Sequence, residues 1–118
     1  MFDLMIIGGG PAGYVAAERA GNKGLKVALF EKKKLGGVCL NEGCIPTKAL
    51  LYSAKLYEDA LEGDKFGITA ENINFDYRKM VGRKNKIVRK LVAGVKMKMK
   101  STKVEVVEGE AILESRTD

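Results

Sequence analysis

Two short apolar runs lie near the start of the chain. They are Phe2–Ile7, which Asp3 interrupts, and Leu25–Phe30, and each has the length and composition of a strand. The residues between them include YVAAERAGNKG, which is helical in composition and offers Val15 and several alanines for packing. This order predicts one βαβ unit over residues 1–38, with its two strands parallel in one sheet.

Helical patterns dominate the next part, residues 49–101. One helix is predicted over Leu50–Glu62, and a glycine-containing break follows it. Asp76 is placed to cap a second, long helix. Apolar residues recur along that helix with a helical period, and they are Tyr77, Met80, Val81, Ile87, Val88, Leu91, Val92, Val95 and Met99.

A third strand is predicted after the long helix. Residues 102–114 contain the short run Lys103–Val107, which is rich in valine, and then a turn. Together with the βαβ unit, this strand predicts an α/β fold with a parallel sheet of about three strands and flanking helices.

A glycine-rich turn, GGGPAG, joins the first strand to the first helix. Gly8 permits a tight turn, Gly10 lets a pyrophosphate approach the backbone, and Gly13 allows the helix to pack closely on the sheet. The N-terminus of the helix, at Pro11 and Ala12, offers N–H groups and a partial positive charge to phosphates.

Glu31 ends the second strand, 18 residues after Gly13. An acid at this place can accept hydrogen bonds from the ribose hydroxyls of an adenosine, and it would repel a 2′-phosphate. Such a turn can also be merely structural. The preceding strand, the following helix and the acid at this distance favour a dinucleotide site. The motif leaves open whether the dinucleotide is NAD or FAD.

Both cysteines lie in one short stretch, LGGVCLNEGCIP. We treat residues 39–48, from the first cysteine to Lys48, as a separate cysteine segment. Cys39 and Cys44 could be buried free thiols. They could also form a structural disulfide, but closing so short a loop stabilises the fold by only about 2 kcal/mol. A tetrahedral metal site lacks ligands, because the chain has no histidine and no second cysteine pair.

A redox pair is the favoured interpretation of these cysteines. Pro46 suits the first turn of a helix, so Cys44 is expected at a helix N-terminus. The helix dipole there, and Lys48 one turn later, would both stabilise a thiolate.

Composition and charge limit the class of protein. A hydrophobic content of 46% supports a folded core rather than disorder. No apolar run reaches the roughly 18 residues of a membrane span, and the start does not resemble a secretory signal. We therefore expect a cytoplasmic protein that does not bind membranes.

Positive charge is concentrated in the long helix. Eleven Lys or Arg and no acid occur from Arg78 to Lys103, in a chain of net charge +6. The run has no recognised nucleic-acid motif, so we interpret it as a solvated helix face and expect no nucleic-acid binding. Docking to an acidic surface is a third possibility.

The segment GGVCLNEGCIPTKALL, preceded by GGGPAGY and by Glu31, resembles the flavin-dependent pyridine nucleotide–disulfide oxidoreductases. Within that family it is most similar to the branch that oxidises dihydrolipoamide. The resemblance implies a partial Rossmann-like FAD-binding fold, with FAD as the nucleotide. The residues that it implies at FAD are Gly8, Gly10, Pro11, Ala12, Gly13, Glu31, Lys32, Gly36, Gly37, Cys39, Cys44, Lys48, Gly109 and Ala111.

The resemblance also implies separate roles for these residues. Cys44 would face the flavin and exchange electrons with it, while Cys39 would attack the disulfide substrate. Lys48 would lie near the reactive nitrogen of the flavin. Gly109 and Ala111 would belong to the turn that approaches the adenine, where the family usually has glycine in place of Ala111.

The resemblance covers only the N-terminal part of a family member. We therefore expect a truncated piece without the NAD-binding and dimerisation domains, and without turnover of its own. For the parent, a homodimer, the resemblance implies dihydrolipoamide as substrate and NAD as final acceptor. The dihydrolipoamide would be carried by the lipoyl domain of a 2-oxoacid dehydrogenase or glycine cleavage complex. Another disulfide reductase of the family and a non-enzymatic binding module are the alternatives.

Overall fold

A computed structural model of the chain describes residues 1–115, which form three strands, four α-helices and one 3₁₀ helix. In chain order these are β1 (Leu4–Ile7), α1 (Pro11–Asn22), β2 (Val27–Glu31), α2 (Gly37–Asn41), α3 (Cys44–Leu61), the 3₁₀ helix (Gly63–Phe66), α4 (Tyr77–Ser101) and β3 (Glu105–Glu108). The predicted α/β class is confirmed.

The strands form one parallel sheet in the order β1–β2–β3. Leu4 pairs with Val27 at the start of β1, and Glu31 pairs with Glu108 at the end of β2. Since all three strands run in the same direction, their carboxyl ends meet at one edge of the sheet. Open α/β sheets bind ligands at this edge, which here carries the glycine turn, Glu31 and the turn after β3.

The core lies between one face of the sheet and the helices. Leu29, in the central strand, is fully buried and is level with Ile6 of β1 and Val106 of β3. Ala17 of α1 and Met99 of α4 belong to the same buried cluster. The central strand is therefore covered on this face.

The opposite face of the sheet is exposed along β1, although Ala28 at its centre is buried. Met5 and Ile7 of β1 are exposed, and so are Ile112 and Leu113 after β3. These residues line a groove of about 590 Å³. An apolar surface of this kind on a sheet commonly marks a contact site.

Helices α3 and α4 pack on each other and make the molecule elongated. Its extents are 65 × 27 × 20 Å and its radius of gyration is 20.2 Å, against about 13–14 Å for a compact chain of this length. Val95 and Met99 of α4 are buried, whereas Tyr77 at its start is exposed. The predicted apolar stripe is therefore buried only where α4 reaches the rest of the core.

The strands begin later than predicted, β1 at Leu4 rather than Phe2 and β2 at Val27 rather than Leu25. The predicted cap of α4 is present, since Asp76 accepts a 3.0 Å hydrogen bond from the Lys79 N–H. The short helix α2 has no counterpart among the predicted elements, because five residues are too few to show a helical period. No helix within residues 1–115 is long and apolar enough to cross a membrane.

Replacing Leu29 with Ala is expected to lower the free energy of unfolding by about 2–4 kcal/mol, because it leaves a cavity between the sheet and the helices. Urea denaturation followed by circular dichroism measures this change. Met5→Ala on the neighbouring strand is the matched control; since Met5 is 62% exposed, its effect is expected to stay within about 0.5 kcal/mol. Equal losses in the two variants would contradict the assignment of the buried face.

Candidate functional site

The glycine turn leads from β1 directly into α1. Gly8 has a φ of +103°, a left-handed value that favours glycine, and its N–H donates to the carbonyl of Phe30 at 2.8 Å. Gly10 precedes the helix, and Pro11 occupies its first position. The first N–H groups of α1 thus point out of the sheet edge, where an anion can accept from them.

Gly13 is needed for the close approach of helix and turn. A Cβ atom built on Gly13 would overlap the carbonyl oxygen of Gly8 and lie 3.5 Å from Ile6. This agrees with the predicted role of Gly13 in packing. Gly10 differs, since a Cβ built there meets only the Cα atom of Gly37, at 3.9 Å. The space in front of Gly10 is therefore open, as a phosphate would require.

The segment before the cysteines lies against the glycine turn. The N–H of Gly36 donates to the carbonyl of Gly9 at 2.8 Å, and a Cβ built on Gly37 would lie 2.7 Å from the Cα atom of Gly10. Gly36 and Gly37 both have left-handed φ values, +102° and +63°. Glycine is required here both by the backbone conformation and by the contact.

The carboxylate of Glu31 connects this turn to the end of β2. Its Oε2 atom accepts from the N–H of Gly9, and its Oε1 atom accepts from the N–H of Lys33, both at 2.8 Å. The Lys33 N–H is the largest cause that lowers the pKa of Glu31. Each oxygen keeps a further lone pair, so the predicted contact with a ribose hydroxyl is compatible with both bonds.

Two cavities adjoin Glu31. The first, about 270 Å³, is lined by Ile7, Gly8, Phe30, Glu31, Lys32, Gly109, Glu110 and Ala111. The second, about 490 Å³, is lined by Glu31, Lys33, Lys34, Gly37, Val38, Asn41 and Glu42. The structure therefore brings together the predicted adenosine residues and the segment that leads to the cysteines, on either side of one carboxylate.

An ion pair crosses the first cavity. The Nζ atom of Lys32 lies 2.9 Å from Oε1 of Glu110, and both side chains are largely exposed. This pair raises the pKa of Lys32. Glu110 is absent from the sequence-based site, because its partner lies 78 positions away and no local pattern links them.

The two cysteines lie on either side of the short turn between two helices, where a Cβ atom built on Gly43 would lie 3.5 Å from the Cα atom of Cys39. Cys39 lies in α2 and Cys44 is the first residue of α3, so Cys44 has the predicted place at a helix N-terminus. Both are free thiols; Cys39 is half-buried and Cys44 is exposed. The side chain of Cys44 is near enough to affect the pKa of Cys39, so the structure brings the two residues together as the pairing predicts.

The protonation of Cys39 depends on its neighbours. The hydrogen bond with the Cys44 side chain is the largest cause that raises the pKa of Cys39, and burial adds to the rise. The N–H of Cys44 and the charge of Lys48 act in the opposite direction. Lys48 is therefore close enough to affect the thiol pair electrostatically, as its position one turn into α3 predicts.

Asn41 holds α2 in place and is absent from the sequence-based site. Its Nδ2 atom donates to the carbonyls of Gly37 at 2.9 Å and Leu35 at 3.2 Å. Leu40 beside it is buried. An asparagine two residues after a cysteine is a weak signal, since a sequence does not show which carbonyls its side chain can reach.

The comparisons with known proteins agree with this arrangement. The family described as "Pyridine nucleotide-disulphide oxidoreductase" matches residues 2–118. The chain belongs to the pyridine nucleotide–disulfide oxidoreductase family.

Individual relatives refine the comparison. The chain is 52% identical over 109 residues to a dihydrolipoyl dehydrogenase of Bacillus subtilis (strain 168), and it covers 23% of that protein with 92% of its own length. It is 48% identical over 108 residues to a dihydrolipoyl dehydrogenase of Zymomonas mobilis, with the same coverage. The chain thus spans about a quarter of the length of the curated relatives it matches.

A solved structure shares the fold. It is the "Cu(II) complex of HOCl-induced flavoprotein disulfide reductase RclA from Escherichia coli", with a TM-score of 0.76 and 29% sequence identity. The match covers 95% of this chain and 22% of that one. The arrangement of sheet and helices is therefore that of a flavoprotein disulfide reductase.

Replacing Gly13 with Ala is expected to cost at least about 2 kcal/mol of stability, because the new methyl group would overlap the Gly8 carbonyl and move the turn. Gly82→Ala is the matched control. Gly82 lies within α4 with open space around it, so this change is expected to stabilise the chain by about 0.5–1 kcal/mol. Denaturant unfolding measures both, and a neutral Gly13→Ala would contradict the close contact.

Proposed function

We propose that the chain is the FAD-binding, redox-disulfide portion of a dihydrolipoamide dehydrogenase. The observation that carries this proposal is the proximity of Cys39 and Cys44 across the turn between α2 and α3, in a segment that touches the glycine turn through Gly10 and Gly37. The relatives named dihydrolipoyl dehydrogenase support the choice of enzyme within the family.

The residues fit a long dinucleotide lying along the sheet edge. The space in front of Gly10 is open. Pro11, Ala12 and Gly13 begin a helix whose N-terminal N–H groups can donate to a pyrophosphate. Glu31 adjoins both cavities, so it can bind a ribose between them. Adenine would then lie near Gly109 and Ala111, at the cavity that Lys32 and Glu110 flank.

When bound, FAD would supply two-electron transfer between the thiol pair and NAD⁺. In the direction of dihydrolipoamide oxidation, a substrate thiolate attacks Cys39 of the Cys39–Cys44 disulfide and Cys44 leaves as a thiolate; in the reverse direction, the Cys39 thiolate attacks the disulfide of the oxidised substrate. Two electrons and two protons leave dihydrolipoamide, its sulfurs join, and the protein disulfide opens to two thiols. Cys44, on the exposed side, would contact the flavin, and Lys48 would favour negative charge there.

The same proposal assigns parts of the chain. Residues 1–38 bind the dinucleotide, residues 39–48 carry the redox pair, residues 49–101 are supporting helices, and residues 102–114 supply the third strand and the adenine turn. The whole protein would be a cytoplasmic homodimer whose NAD-binding and dimerisation domains are needed for turnover. Its substrate would be the dihydrolipoamide on the lipoyl domain of a 2-oxoacid dehydrogenase or glycine cleavage complex.

Mild oxidation is expected to form the Cys39–Cys44 disulfide within the folded chain. The two residues are separated by one short turn, and the side chain of Cys44 affects the pKa of Cys39, so closure requires only a local movement. Mass spectrometry after alkylation of the remaining thiols measures it, and the loss of two hydrogens from a monomer is the expected product. Cys39→Ser and Cys44→Ser serve as controls that cannot close. Two alkylated thiols in the oxidised, folded chain would contradict the proposal.

FAD is expected to bind in preference to NAD, and Gly10→Ala is expected to weaken FAD binding at least about tenfold, because a methyl group would enter the space proposed for the pyrophosphate. The substitution meets only Gly37, at 3.9 Å, so the fold should be retained. Flavin fluorescence titration measures the affinity, with Gly82→Ala as the unaffected control. Retention of NAD without flavin, or equal affinity in Gly10→Ala, would contradict the assignment.

A further inference from the structure

The Glu31 carboxylate makes two backbone contacts that a ribose site does not require. One oxygen holds the N–H of Gly9 in the glycine turn, and the other holds the N–H of Lys33 after β2. Hydrogen bonds to an ionised carboxylate are the stronger kind. Glu31 therefore fixes the position of Gly9 relative to the end of the sheet.

Gly9 is held on its other side by the segment that leads to the cysteines. Its carbonyl accepts from the N–H of Gly36 at 2.8 Å. A Cβ atom built on Gly9 would lie 2.9 Å from Leu35 and 3.0 Å from the Cβ atom of Glu31. Gly9 is thus enclosed between the acid and the segment, so a displacement of one is transmitted to the other.

The same segment determines where Cys39 lies. Gly36 precedes α2 in a left-handed conformation, and Asn41 ties the far end of α2 back to Leu35 and Gly37. Leu40 anchors the short helix in the core. Cys39 lies in the middle of this five-residue helix, so its position follows that of Gly36.

We propose that Glu31 is a positioning residue for the Cys39–Cys44 pair, acting through Gly9 and Gly36. The inference rests on the proposed redox function only in requiring that the two cysteines interconvert between dithiol and disulfide. It does not require bound flavin. Glu31 would thus connect the ribose position with the geometry of the thiols, in addition to any contact with the nucleotide.

Positioning has a measurable consequence for the thiol–disulfide equilibrium. When the pair is oxidised by glutathione disulfide, the two thiols give up two electrons and two protons, the protein disulfide forms and two glutathione thiols are released. The equilibrium constant rises with the effective concentration of one sulfur at the other. A less fixed position of Cys39 should therefore lower the equilibrium constant for disulfide formation.

Glu31→Gln removes one of the two acceptor oxygens while keeping the size of the side chain. We expect the equilibrium constant for disulfide formation to fall by roughly three- to tenfold, because only part of the effect of a lost hydrogen bond to a charged group reaches Cys39. The experiment equilibrates the full chain, without flavin, in glutathione redox buffers. It quenches with an alkylating agent and counts the modified thiols by mass spectrometry.

Glu108→Gln is the matched control. Glu108 pairs with Glu31 in register on the neighbouring strand, is exposed, and has no side-chain hydrogen bond or ion pair within residues 1–115. The equilibrium constant for disulfide formation in Glu108→Gln is expected to equal that of the unsubstituted chain. Equal constants for Glu31→Gln and the unsubstituted chain, or the same fall in Glu108→Gln, would overturn the inference.

Two further measurements keep the result decisive. Thermal unfolding of each variant identifies a temperature at which all variants are folded. At that temperature, a change in the thiol–disulfide equilibrium constant is not caused by unfolding. If Glu31→Gln does not fold, Glu31→Asp replaces it, and an unchanged constant in that shorter acid would overturn the inference. Failure of the unsubstituted chain to form any disulfide would instead overturn the proposed redox function, and the inference with it.

Discussion

The structure depends on one backbone contact, between the glycine turn at the end of β1 and the segment that precedes the cysteines. Gly37 lies against Gly10, and Gly36 bonds to Gly9. A side chain on Gly37 would push the two segments apart, because its Cβ atom would lie 2.7 Å from the Cα atom of Gly10. The contact brings the glycine turn and the two cysteines to the same sheet edge, although nearly thirty residues separate them in the chain, and the proposed redox site depends on it.

Electrostatics at this edge are set by few groups. Glu31 is stabilised as a carboxylate by two backbone N–H groups, and the pair formed by Lys32 and Glu110 adds no net charge to the first cavity. At the cysteines, the side chain of Cys44 raises the pKa of Cys39, while the N–H of Cys44 and the charge of Lys48 lower it. The helix N-termini at this edge therefore favour the negative charge that a phosphate or a thiolate would bring.

The rest of the molecule supports this edge without being compact. α4 returns to the sheet with Val95 and Met99, while most of its Lys and Arg residues are exposed. Lys98 pairs with Glu18 of α1, and Arg83 donates to the carbonyl of Ala49, so part of the charge contributes to helix packing. The exposed β1 face and the elongated shape fit a chain that spans about a quarter of its curated relatives.

Local sequence determined the elements and the chemistry. Apolar runs fixed the strands, helical periodicity fixed α4, and the order of glycine turn, Glu31 and paired cysteines pointed to a dinucleotide and redox site. These signals are readable because each is carried by neighbouring residues. Tertiary structure alone decided that Glu31 bonds to Gly9, that Gly37 touches Gly10, and that Lys32 meets Glu110. Those contacts join residues 22 to 78 positions apart, and they form only when the parallel strands bring their carboxyl ends together.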